Sequence, residues 1–156
     1  MSGLTEDLLS AVDAATAGDV ATADASGDRL TVGVARVDAL AVAFTELRLE
    51  TSRLADASIE RVRAVAEELT RRVTYLLEPL TPVEIDQELA VVQMRSTTPQ
   101  TDNESSAYYE LLVRKGGSLS LRRYRKPRGA MREPIEATVT REVLRRLADD
   151  FVASVS

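Results

Sequence analysis

Residues 108–125 read YYELLVRKGGSLSLRRYR, and the way this stretch folds back on itself decides the architecture. Gly116 and Gly117 can supply the positive φ angles that a two-residue hairpin turn requires. With that pair as the turn, Leu112 faces Leu121, Glu110 faces Arg123, Tyr109 faces Tyr124 and Tyr108 faces Arg125. These are apolar, ionic, aromatic and cation–π pairs respectively. One face of the hairpin then carries Leu112, Leu119 and Leu121, and the other Tyr109, Leu111, Val113 and Tyr124. A sheet with one solvated face is polar on that face, so apolar content on both sides calls for two covering layers. The second cover is either the N-terminal segment or a partner subunit. That makes Tyr109, Leu111, Val113 and Tyr124 candidate interface residues.

Working outward, Leu30, Val32 and Val34 alternate with smaller residues, and Leu40, Val42 and Phe44 alternate in the next run. Leu47 and Leu49 fall out of phase with that run, which places a β-bulge near Thr45 or Glu46. Ile59, Val62, Ala66, Leu69 and Val73 recur at helical spacing and predict a long helix over 52–74. It stops before Tyr75 because Pro79 and Pro82 forbid continuation. Glu67→Arg71 and Glu68→Arg72 are favourable i,i+4 pairs on it. Val83 to Arg95 reads as extended, and Ile135 to Val139 as a short strand. Thr140 caps a final helix with Val143, Leu144, Leu147, Phe151 and Val155 along one side. At the other end, Thr5-Glu6-Asp7 opens a short helix, and residues 19–28 read as an acidic linker ending in a turn. Residues 96–106, STTPQTDNESS, form a polar loop expected to be mobile.

The expected fold is thus a single α+β domain over 1–156. Its antiparallel sheet has five to seven strands, with a long central helix and a C-terminal helix packed on it and a short N-terminal helix. Residues 1–28 are the acidic helix and linker. The length of 156 residues suits one domain with its own core.

Composition excludes more than it indicates. The chain has no Cys and no His, so thiolate catalysis, zinc ribbons, imidazole bases and Ser-His-Asp triads are ruled out. Phosphate-loop and dinucleotide glycine motifs are absent, and no cofactor is implied. The start, MSGLTEDLLSAV, lacks a positive leader region, and no run approaches a membrane span. The expected location is the cytoplasm. Arginine supplies 18 of the 20 basic residues, and with abundant alanine this reads as the codon bias of a GC-rich bacterial genome.

The net charge of −5 is unevenly spread. Residues 114–132 carry eight basic side chains and no acid, while the first 28 residues carry six acids and no base. Arg122, Arg123, Arg125, Lys126 and Arg128 are therefore candidate anion-binding residues, with Tyr124 among them as on single-strand nucleic-acid surfaces. The acidic total disfavours nucleic acid, because the summed field repels a polyanion. Glu84, Asp86 and Glu88 alternate, so in a strand their carboxylates project from one face about 7 Å apart. They are the one candidate metal-binding row; an edge strand protected by charge is the other reading.

The function expected from these features is a non-enzymatic interaction or structural module acting as a homodimer. The alternative is a phosphate, nucleic-acid or small-ligand binding domain using 114–132. A carboxylate- or Mg²⁺-based enzyme around Glu84, Asp86 and Glu88 comes third. The order of elements is loosely similar to that of small acidic dimeric chaperones of bacterial secretion, a likeness of fold alone.

Overall fold

A computed structural model describes residues 3–76, 78–96, 100–101 and 104–156. The fold is α+β, with three α-helices and a ten-stranded antiparallel sheet among these residues. Helix α1 is Gly3–Asp13, α2 Ile59–Arg72 and α3 Arg141–Ser154. The strands are β1 Val20–Ala25, β2 Asp28–Val37, β3 Ala41–Thr51, β4 Leu80–Asp86, β5 Val91–Ser96, β6 Gln100–Thr101, β7 Ser105–Arg114, β8 Ser118–Pro127, β9 Glu133–Ile135 and β10 Ala137–Thr140. Seven of them lie side by side in the order β1-β2-β3-β8-β7-β5-β4, and β6, β9 and β10 attach to that path.

The sheet exceeds the expected five to seven strands for identifiable reasons. Residues 19–28 are not a linker: β1 pairs with β2 from Val20↔Gly33 to Ala25↔Asp28. The turn between them, Ser26-Gly27, has φ of 52° and 86°, as a type I′ hairpin requires. Its inward residues are only Ala21 and Ala23, too small to stand out in a hydropathy pattern. Val83 to Arg95 is not one extended run but part of the β4–β5 hairpin. Its turn is set by Ala90 at φ 50° and by Asp86 Oδ1, which accepts from the Leu89 amide at 3.0 Å. Within the polar stretch 96–106, Gln100 and Thr101 pair with Ala107 and Ser106. Residues 97–99 and 102–103 lie outside those described, so the expected mobility of the whole loop does too.

The central hairpin departs from its expected register by one residue. Arg114 pairs with Ser118, so the turn is the three-residue Lys115-Gly116-Gly117, and Tyr108 faces Tyr124, Tyr109 Arg123, Glu110 Arg122 and Leu111 Leu121. A one-residue slip exchanges faces, and here it gathers the apolar side chains on one of them. Leu30, Leu49, Leu119, Val113 and Val92 form one row across five strands, and Val32, Leu47, Leu121, Leu111 and Met94 form the next. All ten side chains are buried in a single core with the helices. The matching row on the opposite face is Thr31, Arg48, Ser120, Leu112 and Gln93. The sheet has one solvated face, and in the observed register the hairpin leaves only Leu112, Tyr108 and Tyr124 of its apolar and aromatic side chains there.

Helix α2 is shorter than the expected 52–74, because Ser52–Leu54 turn instead as a 3-10 helix capped by Thr51. Ser58 caps α2 by accepting from Arg61 N, and Thr140 caps α3 by accepting from Val143 N at 3.1 Å. Thr140→Ala is expected to cost about 1 kcal/mol in urea denaturation, and a loss near zero would show that β10 alone fixes the start of α3. The acidic α1 lies against α3. Asp13 pairs with Arg141 and Glu6 with Arg145, while Thr5 donates to Asp149 at 2.6 Å. Of the acids in the first 28 residues, Glu6 and Asp13 are thus met on α3, Asp24 by Arg29 and Asp28 by Arg53, and none pairs with the basic hairpin among the described residues.

Candidate functional site

The path β1-β2-β3-β8-β7-β5-β4 is interrupted at one place. Strands β3 and β8 pair from Glu50↔Ser118 to Leu47↔Leu121 and then part. The cause lies in β3, where Gly33 faces Glu46 but Val34 faces Phe44, leaving Thr45 unopposed. This is the bulge that the phase break between Phe44 and Leu47 indicated, and such an insertion bends and twists its strand. Gly33 permits it, since a Cβ there would collide with the Thr45 hydroxyl. The gap is filled by residues 133–140. Strand β9 runs in along β8, with Arg125↔Glu133 and Arg123↔Ile135, and β10 runs out along β3, with Ala137↔Phe44 and Thr140↔Ala41. Glu136 stands at the apex of this fork, 3.3 Å from Arg36.

On the helix side of the fork is a cavity of about 400 Å³, lined by Tyr75, Leu76, Glu78, Tyr109, Arg123, Glu136, Thr138, Val139 and Val143. Its polar centre is the ion pair between Glu78 Oε2 and Arg123 Nη2 at 3.2 Å, with side chains 5% and 12% exposed. The guanidinium lies 4.4 Å from the centroid of the Tyr109 ring. Each partner keeps one buried atom, Glu78 Oε1 and Arg123 Nη1, with no hydrogen-bond partner among the described residues. Tyr75 is fixed at the rim, donating to Asp150 Oδ2 at 2.6 Å under the guanidinium of Arg146. Burial, then the bond to Asp150, hold its phenol far above the ordinary range. Burial also raises the Tyr109 hydroxyl, with Arg123 opposing. Both phenols stay protonated near neutral pH, so neither is placed to act as a base or nucleophile.

The solvated face carries a different cluster. Arg95 lies over Tyr108, Tyr108 packs against Tyr124 at 6.1 Å between centroids, and Arg132 lies over Tyr124 at 3.9 Å. Glu110 is buried beneath them, accepting from Arg132 at 2.6 Å and from Gln93, with Arg95 at 3.6 Å. Arg95 Nε itself keeps no hydrogen-bond partner among the described residues. Beside it, Glu46 accepts from Arg122 at 2.9 Å and from Arg48. Burial would raise the Glu46 carboxyl, but these two arginines outweigh it and lower its pKa. Its contribution to stability is therefore present above the unfolded carboxylate pKa and lost as pH falls through the lowered folded value. Arg122→Gln is expected to move the Glu46 midpoint upward in a carboxyl NMR titration; an unmoved midpoint would assign the shift to Arg48 alone.

The expected basic patch is dispersed by this arrangement. Arg122 joins Glu46 on the solvated face, Arg123 joins Glu78 in the cavity, and Arg125 pairs with Glu133. Lys126 donates to the Ala130 carbonyl at 3.2 Å, and Arg128 lies exposed beyond the strand. The expected Glu110–Arg123 pair is replaced by Glu110–Arg132. Tyr109, Leu111 and Val113 are packed in the core beneath the helices, and Tyr124 is half-buried on the other face. Glu84 and Asp86 lie on the outermost strand β4, whereas Glu88 falls in the turn, which breaks the row. No group of three Asp or Glu is placed to hold a metal ion among the described residues. Glu78, Tyr75 and the fork itself left no mark in the sequence, since Glu78 is a lone acid beside a proline.

A wider hollow of about 670 Å³ lies at the far end of the sheet, between the β1–β2 and β7–β8 turns. It contains one orphaned oxygen, Asp28 Oδ1, and no orphaned donor among the described residues. No helix among the described residues is long and apolar enough to cross a membrane. The chain matches no known protein family, no curated protein and no solved structure.

Proposed function

We propose that the chain is a non-catalytic recognition domain whose contact site is the cavity in the fork. The observation that carries this reading is the cavity of about 400 Å³ itself, which sets a buried ion pair, Glu78–Arg123, beside two phenols and apolar side chains. The volume lies within the ordinary range for ligand pockets. The groups around it are fixed rather than reactive: a neutralised ion pair, a second carboxylate, Glu136, paired with Arg36, two protonated phenols, a hydroxyl and apolar walls. Recognition suits them better than bond-making.

An anion-binding role for the hairpin is weakened by the carboxylate partners of Arg122, Arg123 and Arg125. Homodimerisation through the hairpin loses its premise with the register. Among the described residues, the large apolar side chains that remain exposed, Val20, Leu40, Ile85, Leu89 and Met131, lie on several different strands and turns.

A fragment screen by ¹H–¹⁵N correlation NMR on the full chain tests the reading. Binding fragments are expected to shift Arg123, Thr138, Val139 and Val143, and to lose that effect in Thr138→Trp, which fills the cavity. Shifts confined to the hollow at the far end, or unchanged in the filled variant, would overturn it.

A further inference from the structure

We infer that the free edge of β1 is the surface on which a second copy of this chain docks, strand against strand, about a twofold axis at Thr22. Strand β1 ends the path β1-β2-β3-β8-β7-β5-β4, so only one of its sides is paired. Val34 N donates to the Asp19 carbonyl at 2.8 Å, and Ala25↔Asp28 closes the two-residue turn. Backbone groups alternate in direction along a strand, so residues 19, 21, 23 and 25 point to β2 while Val20, Thr22 and Asp24 point outward. The amides and carbonyls of these three have no hydrogen-bond partner among the described residues. Val20 is 63% exposed, and Thr22 and Asp24 are exposed beside it. Helix α1 packs against β1 and β2 from the side on which Ala21 and Ala23 are buried, which leaves the edge clear. The other end of the sheet is guarded. Strand β4 carries Pro82, a register break between Pro82 and Glu84, and the charges of Glu84 and Asp86, all devices that stop one sheet edge from pairing with another. Strand β1 has no proline, no lysine and an unbroken register, and its one charge, Asp24, is met by Arg29 at 2.7 Å.

The geometry of this edge selects its occupant. Outward residues centred on Thr22 map onto themselves under a twofold rotation, so Thr22 faces Thr22 of the second copy and Val20 faces its Asp24. Every outward N–H then meets an outward C=O, and a directly opposed Thr–Thr pair is favourable. The two Asp24 carboxylates fall on opposite sides of the axis, about 13 Å apart along the strands, beyond the screening length of physiological salt. A flexible peptide fits this edge less well. The Ser26-Gly27 turn at one end and the bond from Gly18 N to the Val34 carbonyl at the other confine the free stretch to Val20–Asp24. Ordering a disordered chain costs at least as much per residue as a net hydrogen bond returns, and so short a stretch cannot offset it. A second copy brings the same strand already ordered. The two sheets then run on as one, with the helices of both copies on the same side.

Sedimentation equilibrium of the full chain tests this. The expected result is a monomer–dimer equilibrium in the micromolar range, weak as a short strand contact implies, starting from 17.0 kDa at the dilute limit. In ¹H–¹⁵N spectra the amides of Val20, Thr22 and Asp24 should shift with protein concentration. Thr22→Pro removes the central donor, whose N–H bonds to nothing within the described chain, and an edge strand accepts proline at such a position. It is expected to weaken the dimer at least about tenfold while leaving the far-UV circular dichroism unchanged. Thr22→Lys and Thr22→Glu read the twofold register even where the proline variant fails to fold. Each sets like charges face to face and should weaken the dimer several-fold, whereas an equimolar mixture of the two should dimerise better than either alone. A chain that stays monomeric up to about 1 mM, concentration-dependent shifts that leave β1 untouched, or a mixture no better than its components would each overturn the proposal.

Discussion

Arg123→Met is expected to lose about 3–5 kcal/mol of folding stability in urea denaturation. Arg123 is the cation that meets Glu78, and the carboxylate is 5% exposed. Removing one partner of a buried pair leaves the other charge without compensation, and that is the costly case. The double variant Glu78→Leu with Arg123→Met should recover most of the loss, since replacing both charges by apolar groups is often neutral. This pattern separates a buried pair from a surface one, for which either single variant would cost under about 1 kcal/mol. A small loss for Arg123→Met alone would mean that water reaches Glu78 and screens the pair. A double variant as unstable as the single one would instead assign the loss to the packing of Arg123 on the Tyr109 ring.

That ion pair could not be read from the chain because of a single residue of register. Residues 108–125 announce a hairpin, and a hairpin is there, but its turn has three residues rather than two. With a two-residue turn Arg123 would face Glu110 across the strands; with the observed turn it faces Tyr109 and enters the cavity with Glu78. Arg125, two positions further along the same strand, lies outside the cavity lining and pairs with Glu133. Alternation was legible wherever the inward residues were large, as in β2, β3 and the helix faces of α2 and α3. The bulge was legible for the same reason, because Phe44 and Leu47 are large enough to show a change of phase. Strand β1 was not, since its small inward alanines differ little in hydropathy from their outward neighbours. The fork was hidden for a different reason. Strands β9 and β10 are three and four residues long, and Pro134 within one of them argues against a strand. Their pairing depends on β3 and β8 parting, a tertiary event that no local pattern records. The α+β class and the cap at Thr140 needed only local information, and both are seen.

Gly117→Ala is expected to cost about 3 kcal/mol or more, through the turn that sets this register. Gly117 has φ of 116°, a conformation that side chains rarely adopt, with a strain of about 1–3 kcal/mol when they do. An added Cβ would also fall within the van der Waals shell of the Thr51 carbonyl oxygen, which is backbone and cannot swing aside. The turn is held there from both sides. Thr51 donates to the Gly117 carbonyl at 2.8 Å, Gly116 donates to that of Leu54 at 3.1 Å, and Lys115 to that of Ala90 at 2.8 Å. Gly116 supplies the internal control, because its φ is also positive, at 96°, yet a Cβ there meets nothing within 4 Å. Gly116→Ala should therefore show the backbone strain without the collision and lose less. Equal losses in thermal or urea denaturation would mean that the Thr51 contact relaxes freely and does not fix the turn. The comparison reaches the candidate site as well. If the three-residue turn holds the register, a variant whose pairing slips to the two-residue turn Gly116-Gly117 should exchange the faces of Arg122 and Arg123. The cavity would then lose its guanidinium although neither arginine was altered, and binding at the fork would be lost along with stability.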